Sequence, residues 1–330
     1  MKAKLVTFIQ QQWTHLGIWH LLLIPLSWLF GALSLLRRQA YSFGLLSSFR
    51  MPVPVIVVGN ISVGGTGKTP LVIWLAQHLK VAGFHPLIIS RGYAGNVSTA
   101  IKEVGPQSDP LMVGDEPLLM SRRTGVPVWV GRHRPQVAQA GLAKYPDCNV
   151  IISDDGLQHY ALQRDIEIAV VDAAQWFGNG QLLPAGPLRE PVSRLAKVSA
   201  LVLNGGWADE DGFSMHLVSM DLYSLEMPSN TCPINAFANN AVHAVAGIGN
   251  PQRFFAQLKS KGLEVIEHPF PDHHDFQPAD LAFGDNLPVV MTEKDAVKCA
   301  AFAQPGWWVL PVNAELAPGF LPHVLSKLGV

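Results

Sequence analysis

A chain of 330 residues supports about two domains, and 48% apolar against 15% charged residues, where soluble proteins average about 25% charged, marks part of it for an apolar partner or deep burial. The net charge of −1 is uneven: residues 1–102 hold nine Lys/Arg and no Asp or Glu, and the other 15 Lys/Arg against 25 Asp/Glu leave −10 behind them, so the basic third suits anionic ligands or an anionic membrane face. Three scattered cysteines (Cys148, Cys232, Cys299), none in C-x-x-C, argue against a disulfide framework or a zinc site and suit a reducing cytoplasm.

Residues 16–36 contain no Asp, Glu, Lys or Arg and are flanked by Lys2, Lys4 and Arg37-Arg38. Their length could cross a bilayer, but Pro25 interrupts the middle and Trp13, Trp19 and Trp28 are spread along the segment rather than gathered at its ends. The pattern predicts a membrane-associated helix, broken before Pro25, lying in the interface with its arginines near headgroups. A spanning helix and a buried hydrophobic helix are the alternatives. A cleaved signal peptide does not fit, because the apolar core is too long.

The apolar run 53–58 leads into Gly59-Asn-Ile-Ser-Val-Gly-Gly-Thr-Gly-Lys-Thr69 and a helical pattern over 69–81, the strand–loop–helix context of a P-loop. Backbone N–H groups freed by Gly64, Gly65 and Gly67 can face phosphate oxygens, Lys68 can reach the β/γ-phosphates, and the Thr69 hydroxyl can join a Mg²⁺ shell. The ATP-binding residues expected here are Ser62, Val63, Gly64, Gly65, Thr66, Gly67, Lys68 and Thr69. Ser62 stands where the general motif has its first glycine. A plain glycine turn is the competing reading.

Further strands are expected at 86–90, 126–130, 149–153, 166–171 and 200–203, with helices at 116–123, 135–144 and around 194–196. Continuous Val/Ile runs separated by helices predict a parallel sheet covered on both faces. Residues 205–240 are polar, with alternation over 213–225 that suggests a hairpin. A second unit follows: strand 241–248, helix 251–261, strand 263–268, and strands at 288–291 and 307–312. The expected organisation is therefore α/β: a membrane-associated helical segment (1–50), a P-loop parallel-sheet domain (51–204), a hairpin linker (205–240) and a smaller C-terminal α/β domain (241–330).

Asp154-Asp155 end an apolar strand, where carboxylates can hold Mg²⁺ directly or through water; a simple Asp-Gly turn is the alternative. Gly114-Asp115-Glu116-Pro117 opens a helix, with Asp115 either an N-cap or an orienter of an attacking hydroxyl. Phe270-Pro-Asp-His273-His274-Asp-Phe276 is a loop that can bind metal, catalyse or simply lie on the surface, and its Asp–His content suits proton removal near neutral pH. The Gly/Pro-rich loop 178–191 offers Arg189 to an anion, and Ser90-Arg-Gly-Tyr93 follows a strand of the same sheet. Thr292-Glu-Lys-Asp295 has its lysine one place late for a guanine-reading motif.

Together with Asp154-Asp-Gly-Leu-Gln-His159 and Leu182-Leu-Pro-Ala-Gly-Pro-Leu-Arg-Glu190, these motifs make the chain resemble the tetraacyldisaccharide 4'-kinases, the lipid A 4'-kinases of Gram-negative bacteria. The resemblance spans most of the chain, and in that family Ser62 looks normal. It implies transfer of the ATP γ-phosphoryl group to the 4'-hydroxyl of a lipid A disaccharide 1-phosphate precursor, with Mg²⁺, on the cytoplasmic face of the inner membrane. It also implies peripheral or monotopic attachment to that lipid surface and a two-stranded linker between the domains. The family's catalytic pair maps onto Asp115 and one histidine of Asp272-His273-His274, taken here as His273. Asn60, Tyr93, Arg189 and Glu190 are expected at the substrate, with Glu116, Gln158 and His274 in support. Neither nucleic acid nor an obligate protein partner is expected. A membrane-associated P-loop ATPase or switch without a lipid substrate is the alternative, and a γ-phosphate transfer assay separates the two.

Overall fold

A computed structural model describes Trp13, Gly17 and residues 19–92, 100–206 and 212–329. Lys2, Lys4 and Tyr93 lie outside the described residues. Helix α1 (Trp19–Ser42) runs 24 residues with Pro25 inside it, so the expected break is absent. Proline forfeits one helical hydrogen bond, but the helix is held on both sides of Pro25 by a polar seam. Buried His20 and Ser27 face the 179–185 loop. Ser27 Oγ lies 2.9 Å from Leu182 O and accepts from the Ala185 amide at 2.9 Å, while His20 Nε2 is 3.1 Å from Asn179 Nδ2. The opposite face exposes Leu22, Leu26, Trp28, Leu29, Leu33 and Leu36. No described helix is long and apolar enough to cross a membrane.

Beyond α1 the chain alternates strands and helices as its Val/Ile runs predict. In order come β1 (Val55–Gly59), α2 (Lys68–Val81), β2 (Pro86–Ser90), β3 (Lys102–Val104), α3 (Pro110–Val113), α4 (Asp115–Thr124), β4 (Val128–Val130), α5 (Arg134–Lys144), β5 (Val150–Asp154), β6 (Ile166–Asp172), a 3₁₀ turn (Val192–Lys197) and β7 (Ala200–Asn204). Then follow β8 (Phe213–Ser219), β9 (Leu222–Ser224), β10 (Thr231–Cys232), β11 (Ala241–Ala246), α6 (Pro251–Ser260), β12 (Glu264–Pro269), β13 (Val289–Thr292), α7 (Glu293–Cys299), β14 (Trp307–Leu310), β15 (Val312–Leu316) and α8 (Phe320–Leu328).

The first sheet has the order β15-β8-β7-β6-β1-β5-β2-β4-β3, parallel from β8 to β4 with antiparallel β15 and β3 at its edges. Because side chains alternate along a strand, Ile56 and Val58 meet Leu71, Leu75 and Leu118 on one face, while Val55 and Val57 meet Val137 and Ala138 on the other. β1 lies between β5 and β6, so the loop after it opens at the sheet's carboxyl edge, where such folds gather ligands. The second sheet, β10-β9-β14-β13-β11-β12, buries Val242, Ala244 and Val290 against Phe254, Phe255 and Leu258 of α6.

The linker differs from the expected hairpin. β8 belongs to the first sheet and β9 to the second, and the chain crosses back between β14 and β15. Two antiparallel crossings therefore lie side by side, β8 with β15 and β9 with β14. The span 307–312, expected as one strand, is split by Pro311, which lacks the N–H a continuous ladder needs. Residues 312–328 do not belong with the second sheet: Phe320 of α8 packs on Trp74 and Phe213 of the first layer.

Candidate active site

The glycine loop after β1 is held from outside. Asn204 Nδ2 donates to Thr66 O at 3.0 Å, the Val63 amide donates to Pro187 O at 2.8 Å, and Ser62 bridges Leu188. Val63 thus spends its backbone donor on the 178–191 loop, leaving the Gly64–Thr69 stretch to face a ligand. Gly67 is left-handed (φ 93°), and a Cβ there would lie 2.5 Å from Asn204 Nδ2, so no other residue fits. It caps α2 without a side-chain hydrogen bond, and the helix's first N–H groups point free into the loop, a natural seat for phosphate. Lys68 and Thr69 are the first two residues of α2, and the Thr66 hydroxyl is buried without a partner among the described residues.

At the end of β5 the two aspartates divide. Asp155 is salt-bridged to Lys68 (3.6 Å) and Arg189 (3.1 Å); burial works against its charge, yet these cations hold its carboxyl down at about 2. Asp154 accepts from Ser90 Oγ at 2.9 Å through one oxygen, while its other oxygen is buried with no partner among the described residues. Burial, then Glu116 and Asp155, push it up to about 6. Lys68 and Arg134 act on it in the opposite direction but do not outweigh the burial.

Glu190, expected at the substrate, is instead a buried hub. It takes hydrogen bonds from Gln158 (2.7 Å) and Tyr160 (2.8 Å) and pairs with Arg194 (3.3 Å) and Arg38 (3.8 Å). These contacts engage its oxygens in fixing the 178–191 loop. Arg38 of α1 thereby joins this cluster. Gln158 also reaches Asn60 O at 3.1 Å. Asn60 itself is fully buried, with both ends of its side-chain amide unpartnered among the described residues.

Asp115 and His273 meet across 158 residues of chain: His273 Nδ1 lies 3.1 and 3.0 Å from the two carboxylate oxygens. Asp115 opens α4, its Oδ1 also accepting from the Glu116 amide at 2.9 Å. Burial opposes its charge, but the His273 hydrogen bond and Lys294 hold the carboxyl below its usual value. Burial likewise disfavours the imidazolium, but the Asp115 hydrogen bond together with the charges of Asp115 and Asp272 outweighs it, raising His273. His274 turns away, bonded to Asp280 at 3.0 Å between Phe270 and Phe276, so it does not reach Asp115. The pair lies beside the glycine loop: a Cβ placed on Gly249 would be 3.2 Å from the Gly65 nitrogen and 3.6 Å from Asp272 Oδ2.

Sequence reasoning missed a cavity of about 260 Å³ lined by Arg37, Arg91, Arg132, Arg134 and His159. Arg134 is fully buried; one guanidinium nitrogen donates to Asp154 O at 2.6 Å and the other two have no partner among the described residues. Burial, with help from Arg134 and Arg91, drives the His159 imidazole down to about 4. Such a cluster wants an anion. The signal was present in Gly131-Arg-His-Arg134 directly after β4, three basic residues at the same sheet edge as the glycine loop.

The family profile LpxK, described as tetraacyldisaccharide-1-P 4'-kinase, matches residues 19–329. Among similar proteins named tetraacyldisaccharide 4'-kinase, that of Methylobacillus flagellatus is 53% identical over 322 residues, covering 97% of this chain and 96% of its own. That of Actinobacillus succinogenes is 49% identical over 311 residues, covering 93% and 94%. The crystal structure of LpxK from Aquifex aeolicus in complex with ATP superposes with a TM-score of 0.77 at 30% identity, over 92% of this chain and 97% of that one.

Proposed function

The chain belongs to the tetraacyldisaccharide-1-P 4'-kinase family, and from that premise we propose how its residues divide the work. The reaction moves the γ-phosphoryl group of ATP to the 4'-hydroxyl of a tetraacylated glucosamine disaccharide 1-phosphate, a step of lipid A biosynthesis. The Gly64–Thr69 amides and Lys68 hold the triphosphate. Asp115 takes the proton of the sugar hydroxyl as that oxygen bonds to the γ-phosphorus and the bond to the ADP oxygen breaks. His273 orients the carboxylate through Nδ1. The meeting of the Asp272-His273 loop with the glycine loop at Gly249 is the observation that carries this reading.

Mg²⁺ fits the residues present. Asp154, through the buried oxygen that has no partner among the described residues, and the helix-start Thr69 would hold it, while Asp155 already answers Lys68 and Arg189. Among the described residues no group of three or more His, Cys, Asp or Glu could hold a metal alone, which matches the habit of Mg²⁺ to complete its shell with substrate phosphates and water. When bound, it neutralises charge on the β- and γ-oxygens.

The Arg134 cavity and the buried Asn60 amide suit the sugar headgroup, with the cavity taking its anionic 1-phosphate. Four acyl chains bind the substrate to the bilayer, each buried CH₂ contributing about 0.8 kcal/mol. The enzyme therefore comes to the lipid, resting the apolar face of α1 in the cytoplasmic leaflet of the inner membrane.

The test is transfer of γ-labelled phosphate from ATP to tetraacyldisaccharide 1-phosphate in mixed micelles, with release to water measured in parallel. Asp115→Ala and His273→Ala should each lower kcat by about 10²–10⁴-fold with ATP affinity kept. Collapse of ATP binding in either variant would overturn the assigned roles.

A further inference from the structure

Thr292-Glu-Lys-Asp295, which reads no guanine, stands directly behind the Asp115–His273 pair. Thr292 Oγ1 and Asp295 cap one another at the start of α7, and Asp295 accepts from the Gly247 amide at 2.9 Å, tying α7 to the end of β11. Glu293 takes both its oxygens to Arg123 of α4 at 2.5 and 2.7 Å. Between these anchors Lys294 projects into the pair. Its Nζ donates to Glu116 Oε1 at 3.0 Å and to Asp272 Oδ1 at 3.1 Å, and lies 3.5 Å from His273 Nε2. Lys298, one turn on, is salt-bridged to Asp295 at 2.9 Å and stands 3.9 Å from Asp115 Oδ2.

We propose that Lys294 is a positioning residue of the phosphoryl transfer: its ammonium, clamped between Glu116 and Asp272, stands at the Nε2 side of His273 and so turns the ring to present a protonated Nδ1 to Asp115. The charged groups facing the ring are Asp115 and Glu116 from α4, Asp272 from its own loop, and Lys294 with Lys298 from α7. Asp115 and Asp272 favour a doubly protonated ring; Lys294 opposes it, because two cations would face each other at 3.5 Å. A neutral ring with its hydrogen on Nδ1 satisfies both the Asp115 and the Lys294 contacts, since Nε2 then accepts from the ammonium. Asp115 is left as a carboxylate that accepts from the ring and, through Oδ1, from the Glu116 amide, with lone-pair capacity remaining for a hydroxyl. Glu116 and Asp272 raise the lysine enough to outweigh the cost of its burial, so the ammonium persists.

The inference rests on the assignment of Asp115 and His273 to the reacting hydroxyl, and Asp115→Ala tests that separately: an active Asp115→Ala removes the assignment itself. With that variant inactive, Lys294→Met should lower kcat at least about tenfold at neutral pH and move the acid limb of the pH–kcat profile upward by about one unit, the ring having lost an opposing cation. The KM for ATP should stay put. Lys294→Arg, which keeps the charge, should hold the acid limb in its wild-type place. A structural latch alone would lower activity in both variants without moving the limb, and that result overturns the proposal. A second reading needs no folded Lys294 variant: ¹⁵N NMR of the wild-type protein, assigned with His273→Gln, should show the Nδ1–H tautomer at His273, and an Nε2–H tautomer refutes the proposal.

Discussion

Asp115 sits only 4% exposed yet gives up its proton more readily than a free aspartate, and the reason is the ring across from it. The same pair carries a pH signature in stability. Asp115 is depressed below 3.8, so its contribution is complete above that value and is lost as pH falls through its folded pKa. His273 is raised above 6.5, so its contribution is full below that value and is lost as pH rises through its folded pKa. The difference in Tm between wild type and His273→Ala should therefore be largest from about pH 4 to 6.5 and shrink on both sides. At the anion cavity, Arg134→Met should raise the KM for the lipid and leave that of a 1-dephospho analogue nearly unchanged, because only the former has a group to lose. The Asp115–His273 pair was legible in the sequence as chemistry-bearing motifs. Arg134 and Lys294 were not, since an arginine or lysine beside a motif reads alike whether it faces solvent or is sealed beneath a strand end.

Helix α1 is more than an apolar surface, because its two buried polar side chains hold the loop that delivers Arg189 to Asp155. Ser27→Ala leaves the Ala185 amide without its partner, a loss of about 1–3 kcal/mol for a buried group. Vesicle co-sedimentation of that variant should match wild type while kcat falls, and it should fall equally on a headgroup substrate stripped of acyl chains. Deleting residues 1–40, in contrast, should move the enzyme from the membrane to the soluble fraction, and unchanged partitioning would remove the anchoring role. The uncharged run located this helix, but the break expected before Pro25 is absent. Local propensity sees a missing donor, whereas the seam to residues 179–185 is a tertiary contact. The glycine loop was the most legible element because strand, turn and helix signals agree there, while its outside supports, Asn204 on Thr66 and the 178–191 loop on Ser62 and Val63, lay beyond it.

Across the whole molecule, the two layers are joined by paired crossings and by the Arg123–Glu293 bridge, with Arg123 also reaching Asn313. Glu293 is buried, so Arg123→Met strands its charge, a change that costs about 3–5 kcal/mol in comparable pairs and should show as a lower urea midpoint. Alternating Val/Ile runs gave away both sheets, but which strand closes which sheet depends on pairings between residues almost a hundred positions apart, and no local pattern encodes those. The return of β15 and α8 to the first layer has a consequence for synthesis. The outermost strand of the nucleotide-holding sheet and the helix that covers Trp74 are translated after the entire second sheet. A nascent chain therefore cannot complete its ATP-gripping half until residues 312–328 have cleared the ribosome, and until then β8 waits with a bare edge.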